Sequence, residues 1–415
     1  MRIGEFAAKY GVSRDTVRFY INNGLLIPED SGAQYQFGER ECRDMETILR
    51  LKEWSFSLKE IREYMSVLRV STMVEPESIQ DIQDFFDHKK AKLEESIESL
   101  RKICDNIDAE SKRLLQRDMP QRKKTGVPLQ ALPLLMCPYC GGDLTLEMAA
   151  LDSRYVYQGT LRCDCGYQVQ VENGIVKTGN LYTAPYDSPD LKRGLYRNVS
   201  ENFVTYLQRC KDLALRELQQ DANQKKIILE GHCNGYFFLY DHLKLLNRDN
   251  IYIITDKYPE VLEMYKRNIE FLNLNLNILY IADASIRYPL KYHCVDILID
   301  FMGDNEHSLY FQNFYLQDMA PYLASDSMVL GAALSYSPNA KSLTALHRKY
   351  PEGSCYGYNK NLLEQYYRRA GYKCDIQPIG VILESSDQYS FECHQKGEKL
   401  YMDYFNARKN PGKKE

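Results

Sequence analysis

Apolar residues fall at helical spacing from the start of the chain: Ile3, Phe6 and Ala7 share a face, and Gly11 breaks the run. Ser13 then stands where an N-cap belongs. Val17 with Phe19 and Tyr20 gives a second short helix its apolar side, and Asn23-Gly24 ends it. Two short helices around a glycine turn predict a helix-turn-helix. Its second helix carries Arg14, Thr16 and Arg18 outward, within reach of phosphates and base edges in a major groove. Between Pro76 and Pro120 there is neither Pro nor Gly, and Ile82, Phe86, Leu93, Leu100, Cys104, Ile107 and Leu114 recur near a heptad, interrupted at Lys89 and at Ser96 or Ser111. One helix is expected over 77–118, about 60 Å long at 1.5 Å per residue.

From residue 185 to 415 the pattern alternates between short apolar runs and amphipathic stretches, as in a doubly wound α/β domain. Strands are expected at 226–230, 250–255, 276–281, 295–301 and 328–333. Helices are expected at 198–219, 236–246 and 261–272. An antiparallel pair, 373–383 with 389–394, is expected to close the sheet.

The residues of the first segment narrow its reading. Val12-Ser13, Thr16-Val17-Arg18-Phe19-Tyr20 and Gly24-Leu25-Leu26-Ile27-Pro28 resemble the MerR-type winged helix-turn-helix regulators. Trp54-Ser55-Phe56-Ser57-Leu58-Lys59-Glu60-Ile61 resembles the second helix-turn-helix of that family. The resemblance implies a DNA-binding module over 1–72 that reads double-stranded promoter DNA. It implies Ser13, Arg14, Thr16, Arg18, Tyr20 and the wing residue Tyr35 as its contacts. It also implies that the 77–118 helix pairs with a second copy in an antiparallel coiled coil, so that a homodimer meets a palindromic site. One departure stands out: the wing reads Ala33-Gln34-Tyr35-Gln36-Phe37, without the family's arginine.

Composition adds bounds. With 415 residues the chain has room for two or three domains. Its net charge of −4 provides no general attraction for nucleic acid, so any DNA contact is local. No apolar run is long enough to span a bilayer, and a soluble, cytoplasmic protein with no membrane partner is expected. Residues 119–135, with Arg122-Lys123-Lys124 between prolines, read as a linker.

Twelve cysteines in such a chain point to metal or burial before disulfides. Four are clustered: Cys137-Pro-Tyr-Cys140 and Cys163-Asp-Cys165. This spacing suits a zinc ribbon over 136–180, with two knuckles donating four thiolates to one structural ion; the alternative is four buried thiols. Gly141-Gly142 and Gly166 allow the tight turns that aim backbone N–H groups at sulfur. The segment is similar to the zinc ribbon that precedes the catalytic domain in bacterial rRNA guanine methyltransferases.

The last domain resembles the class I S-adenosylmethionine-dependent methyltransferases. Glu230-Gly231…Gly235 follows the first strand, Asp256 ends the second, Ala282-Asp283-Ala284 follows the third and Val295-Asp296-Ile297-Leu298-Ile299-Asp300 forms the fourth. The fold class implied by the whole chain is therefore multidomain α and α/β: winged helix-turn-helix, long dimerisation helix, zinc ribbon and a Rossmann-like seven-stranded methyltransferase fold over 185–415. The resemblance implies S-adenosylmethionine at Glu230, Gly231, Gly235, Asp256 and Asp283, with Asp256 taking the ribose and Asp283 the adenine amine. Two features depart from the pattern. The loop Glu230-Gly-His-Cys-Asn-Gly235 is one residue short and places His232 where bare backbone is expected. Neither a [DN]PP[YF] motif nor a Pro-Cys dipeptide is present. No catalytic base can be named; His307, Asp304 and Glu306 lie near the end of the fourth strand. Three functions follow: a regulator whose last domain senses S-adenosylmethionine or a related small-molecule effector, an active methyltransferase on RNA or a small molecule with its own DNA-binding module, or a scaffold.

Overall fold

Gly11 at φ +65° and Gly24 at φ +70° take left-handed turns that L side chains rarely adopt, and they end the first two helices where the sequence predicts. The computed structural model of the chain describes residues 1–30, 34–70, 76–116, 120–193, 199–220, 224–383 and 393–409. It divides into two units, 1–118 and 119–415.

In the first unit α1 (Ile3–Lys9) and α2 (Arg14–Asn22) form the helix-turn-helix. The strands β1 (Glu29–Asp30) and β2 (Tyr35–Gln36) pair antiparallel as a short wing. The second pair is α3 (Glu39–Glu53) and α4 (Leu58–Val70), the latter opened by a reciprocal cap between Ser57 and Glu60. Phe6, Val17, Tyr20, Leu25, Met45, Ile48 and Ile61 form one buried core beneath them. The long α5 (Pro76–Leu115) follows, with Phe85 and Phe86 packed on Phe56 and Tyr64. None of its described side chains is buried.

The second unit is built on a sheet of twelve strands. It opens with β3 (Val127–Pro128), β4 (Thr145–Leu151), β5 (Tyr155–Arg162), β6 (Gln168–Glu172) and β7 (Ile175–Lys177). After α6 (Glu201–Gln220) come β8 (Ile227–Glu230), α7 (Phe238–Asp241), β9 (Ile251–Asp256), α8 (Pro259–Phe271) and β10 (Asn277–Ala282). Next are β11 (Val295–Phe301), α9 (Gly303–Tyr310), α10 (Tyr315–Met319) and β12 (Leu323–Ser335). The chain ends with α11 (Lys341–Lys349), α12 (Leu363–Arg369), β13 (Tyr372–Ile382) and β14 (Leu400–Lys409). The seven strands β8–β14 lie in the order β13-β14-β12-β11-β8-β9-β10. All neighbours are parallel except the last hairpin, where β14 runs antiparallel to both β12 and β13. This is the expected methyltransferase fold.

Two expectations change. The closing hairpin uses Leu400–Lys409 as its second strand; of the expected 389–394, residues 389–392 lie outside the described residues and Cys393-His394 are not strand. The later segment offers ten residues, mostly buried and rich in aromatic and aliphatic side chains, enough to pair along β13. The expected helix 236–246 is one turn at α7 and a 3-10 turn over Leu243–Leu245. In the cysteine segment β7 pairs parallel to β10, so its strands continue the sheet and cover what would be its open edge. Hydrophobic cores lie on both faces of this sheet.

Candidate functional site

On α2, Ser13 accepts from the Thr16 backbone N–H at 3.0 Å and shares a 2.8 Å hydrogen bond with the Thr16 hydroxyl, so both are committed to starting the helix. Arg18 is exposed and pairs with exposed Asp15 at 3.2 Å. Such a pair is worth well under about 1 kcal/mol, so the guanidinium is readily released to a phosphate. The Arg14 guanidinium lies against α1, close enough that a Cβ on Gly4 would come within 2.9 Å of it. Tyr20 is in the core, its hydroxyl accepting from Lys52 Nζ at 3.2 Å. Phe19, expected on the apolar side, is 46% exposed. At 100° per residue Val17 and Tyr20 share a face and Phe19 falls off it. Tyr35 stands exposed in the wing. The sequence did not signal Arg69, which donates to the Gly24 and Leu25 carbonyls at 2.7 and 2.6 Å and to Asp44 at 2.8 Å, and so locks the end of the first motif to α4.

The four clustered cysteines converge: their sulfurs all lie within 4.8 Å of one another, with Cys137–Cys165 at 3.5 Å and Cys140–Cys163 at 3.4 Å. Tetrahedral thiolates at about 2.3 Å from an ion are about 3.8 Å apart, so the set fits one metal with no open position. A Cβ on Gly142 would meet the Cys140 and Cys163 sulfurs at 3.3 Å, which is why the knuckle needs glycine there. The Tyr167 N–H holds the Cys165 thiol down to about 7, toward the thiolate a metal requires.

The expected cofactor residues lie at the C-terminal ends of the strands, and each is already engaged. Glu230 is buried and accepts from the Phe238 and Leu239 N–H groups at 2.6 and 2.9 Å. Asp256, 3% exposed, accepts from Asn234 N–H at 2.7 Å and Tyr258 N–H at 2.8 Å. Asp283 accepts from Thr178, Asn180 and Ser285. Above Gly231, the space a Cβ would enter is taken by the Tyr315 hydroxyl at 2.7 Å and Thr255 Oγ1 at 2.8 Å. His232 takes a left-handed φ of +58°, with its half-buried ring 4.9 Å from Tyr315 and 5.5 Å from His307. The segment 178–193 crosses this edge: Asp190 N–H donates to Asn234 Oδ1 at 2.8 Å, and Arg193 donates to the Asn234 and Gly235 carbonyls at 2.9 and 3.2 Å. The ribose and adenine of S-adenosylmethionine need the carboxylates of Asp256 and Asp283. Asp283 already takes four donors from within the chain and buried Asp256 takes two, so both carboxylates are engaged by the protein's own groups.

Sequence reasoning missed Lys257. Its ammonium joins Asp187 at 2.9 Å and Glu306 at 3.1 Å and lies 3.3 Å from the Tyr310 ring centroid. A lysine after a strand-end aspartate gives no signal of this, because its partners lie 70 residues upstream and 49 downstream. Glu306 and Tyr310 also line a cavity of about 420 Å³ next to Asn234 and Gly235. Of the other strand-four candidates, His307 is buried with Nε2 3.3 Å from Asp318, and Asp304 is buried beside Asp300. Neither lines that cavity.

The family described as MerR HTH family regulatory protein matches residues 1–68. The mercuric resistance operon regulatory protein of Bacillus cereus is 32% identical over 104 residues, which span 25% of this chain and 76% of that protein. The chain belongs to the MerR family. Among solved structures, the MccD protein has a TM-score of 0.39 at 11% identity, covering 49% of this chain and 97% of that one. Geranyl diphosphate C-methyltransferase from Streptomyces coelicolor has a TM-score of 0.35 at 9% identity, covering 56% and 92%. Among the described residues no helix is long and apolar enough to cross a membrane.

Proposed function

We propose that the protein is a homodimeric transcriptional regulator that binds double-stranded promoter DNA in the cytoplasm through α2 and the wing, and that its methyltransferase-fold domain is the ligand-responsive part. The observation that carries the DNA-binding reading is the exposed Arg18 on the second helix of a module that matches the MerR family. Dimerisation is supported by α5, where Leu93, Ile97, Leu100, Ile107 and Leu114 are all exposed at steps of three, four and seven, a seam that asks for a partner helix. The four cysteines are proposed to hold a structural zinc ion.

An effector domain must bind its ligand differently in two states. S-adenosylmethionine as that effector, or as the donor for methylation of RNA or a small molecule, is supported by the strand order and by the acidic residues at the strand ends. The engaged carboxylates of Asp256 and Asp283 weigh against both, and favour an effector that enters the neighbouring cavity.

Selection of duplexes from a random library, followed by footprinting, tests the DNA-binding reading. A two-fold symmetric footprint with steep salt dependence is expected, and Arg18→Ala should weaken binding about tenfold or more without lowering the melting temperature. Wild-type affinity in that variant would remove α2 from the interface.

A further inference from the structure

A second cavity, of about 550 Å³, opens between the linker residues Arg122, Lys124 and Thr125, the strands β4 and β5, and α8. On α8, Glu263, Lys266, Arg267 and Glu270 recur at steps of three, one and three, which puts all four on one helix face. Ala150, Tyr157 and Ile175 supply an apolar wall. The volume suits a small organic molecule.

Four cations line the groove, Arg122, Lys124, Lys266 and Arg267, against two carboxylates, Glu263 and Glu270. Both carboxylates are engaged. Glu270 accepts from Arg122 Nε at 2.6 Å, from the Thr125 N–H at 2.7 Å and its hydroxyl at 3.1 Å, and from Lys266, which uses its lone-pair sites. Glu263 is held by Lys177 at 2.9 Å. Just outside, Glu172 takes the same Lys177 at 3.1 Å, and Asp152, which accepts from the Tyr157 hydroxyl, is offset by Arg154. Those outer charges cancel, so the groove keeps two positive charges in excess. Lys124 and Arg267 are exposed and meet no carboxylate within ion-pair distance among the described residues. Burial holds the Lys266 ammonium below its ordinary value, and the charges of Arg122 and Lys124 push it the same way, so like charges face one another here. An anion relieves that repulsion, and a cation adds to it. A phosphate monoester carries about two negative charges at neutral pH, whereas each diester of a nucleic-acid backbone carries one, so the monoester closes the count.

We propose that this groove binds a phosphate monoester of a small organic molecule, with Lys124 and Arg267 on its phosphate and its body against Tyr157 and Ile175. The site is separate from the cavity beside Gly235 and does not depend on the DNA-binding reading. Arg122 joins it to the linker, so a bound ligand should also slow proteolysis within residues 120–126.

Phenyl phosphate and methyl phenyl phosphate share a ring and differ in charge, and calorimetric titration of the full chain with each tests the proposal. Saturable phenyl phosphate binding is expected, at least about tenfold tighter than the diester, as charge-assisted contacts imply. The double variant Lys124→Ala with Arg267→Ala, both exposed, should melt like wild type and bind about tenfold more weakly or worse. Lys123 lines a different recess with Asn273 and Leu274, so Lys123→Ala should leave the affinity unchanged. Absence of phenyl phosphate binding, equal affinity for the two esters, full affinity in the double variant, or an equal loss in Lys123→Ala would overturn the proposal. Displacement of bound phenyl phosphate by a random-sequence duplex would assign the groove to nucleic-acid backbone and overturn it as well.

Discussion

Glu230 carries a cost of burial that a pH titration can read. Its carboxyl sits at the end of β8 with no counter-charge among the described residues, and burial pushes it up to about 8 even though two backbone N–H groups donate to it. A folded-state value above the unfolded one means the folded chain holds the proton more tightly. The stability this gives is full below about pH 4.5 and is lost as pH rises toward 8. Glu230→Gln stays neutral throughout, so its stability relative to wild type should rise between pH 5 and 8, by up to about 1.4 kcal/mol per pH unit. Melting curves of the two proteins across that range check it; parallel curves would mean that Glu230 is ionised when folded. His232 makes a second residue-scale point. A histidine at φ +58° costs about 1 kcal/mol that glycine avoids, and its ring fills space between Tyr315 and His307. The short loop is thus packed shut by its own side chain.

At the scale of elements, α8 links two ends of the second unit. Its first turn follows Asp256, Lys257 and Tyr258, which hold the glycine loop and the carboxylate pair. Its last turn clasps the linker. Buried Glu270 accepts from Arg122 Nε at 2.6 Å and from Thr125 N–H at 2.7 Å, while Lys266 Nζ reaches the Thr125 carbonyl at 2.7 Å. The run Arg122-Lys123-Lys124 reads in sequence as solvated linker, but Arg122, itself exposed, pairs with buried Glu270 because that residue, 148 positions later, is brought to it. Lys266 is the buried partner of the same carboxylate, and removing Glu270 leaves that ammonium unpaired at a cost of several kcal/mol, on the order of 3. Glu270→Ala should therefore open residues 120–126 to limited proteolysis while β8–β14 stay protected, and an unchanged cleavage pattern would show that the clasp holds nothing. On α5, Leu100→Asp with Ile107→Asp should halve the mass seen by sedimentation equilibrium; a single-chain mass for the wild type would remove the dimer.

At the scale of the whole molecule, what could be read in the sequence followed from local signals. Caps, glycine turns and apolar periodicity located α1, α2 and α5 nearly to the residue, and the four clustered cysteines meet as their spacing implies. What could not be read depended on long-range pairing. The ribbon strands join the sheet edge through β7 and β10, which are about 100 residues apart in the chain. The closing strand lies beyond the apolar run that seemed nearest. The segment 178–193 engages Asp283, Lys257 and the glycine loop, contacts that no motif encodes. Elemental analysis should find one zinc ion per chain, and chelation should make four thiols reactive and lower the melting temperature; metal-free protein with unchanged melting would reduce the cysteine site to packing. Joined to the MerR module, the α/β domain keeps the strand order of a methyltransferase while its own groups engage the carboxylates of Asp256 and Asp283. Calorimetric titration of the full chain with S-adenosylmethionine tests that claim most directly. Carboxylates held by the protein's own groups predict no saturable heat, whereas one-to-one binding that disappears in Asp256→Ala would contradict it and return the domain to cofactor chemistry.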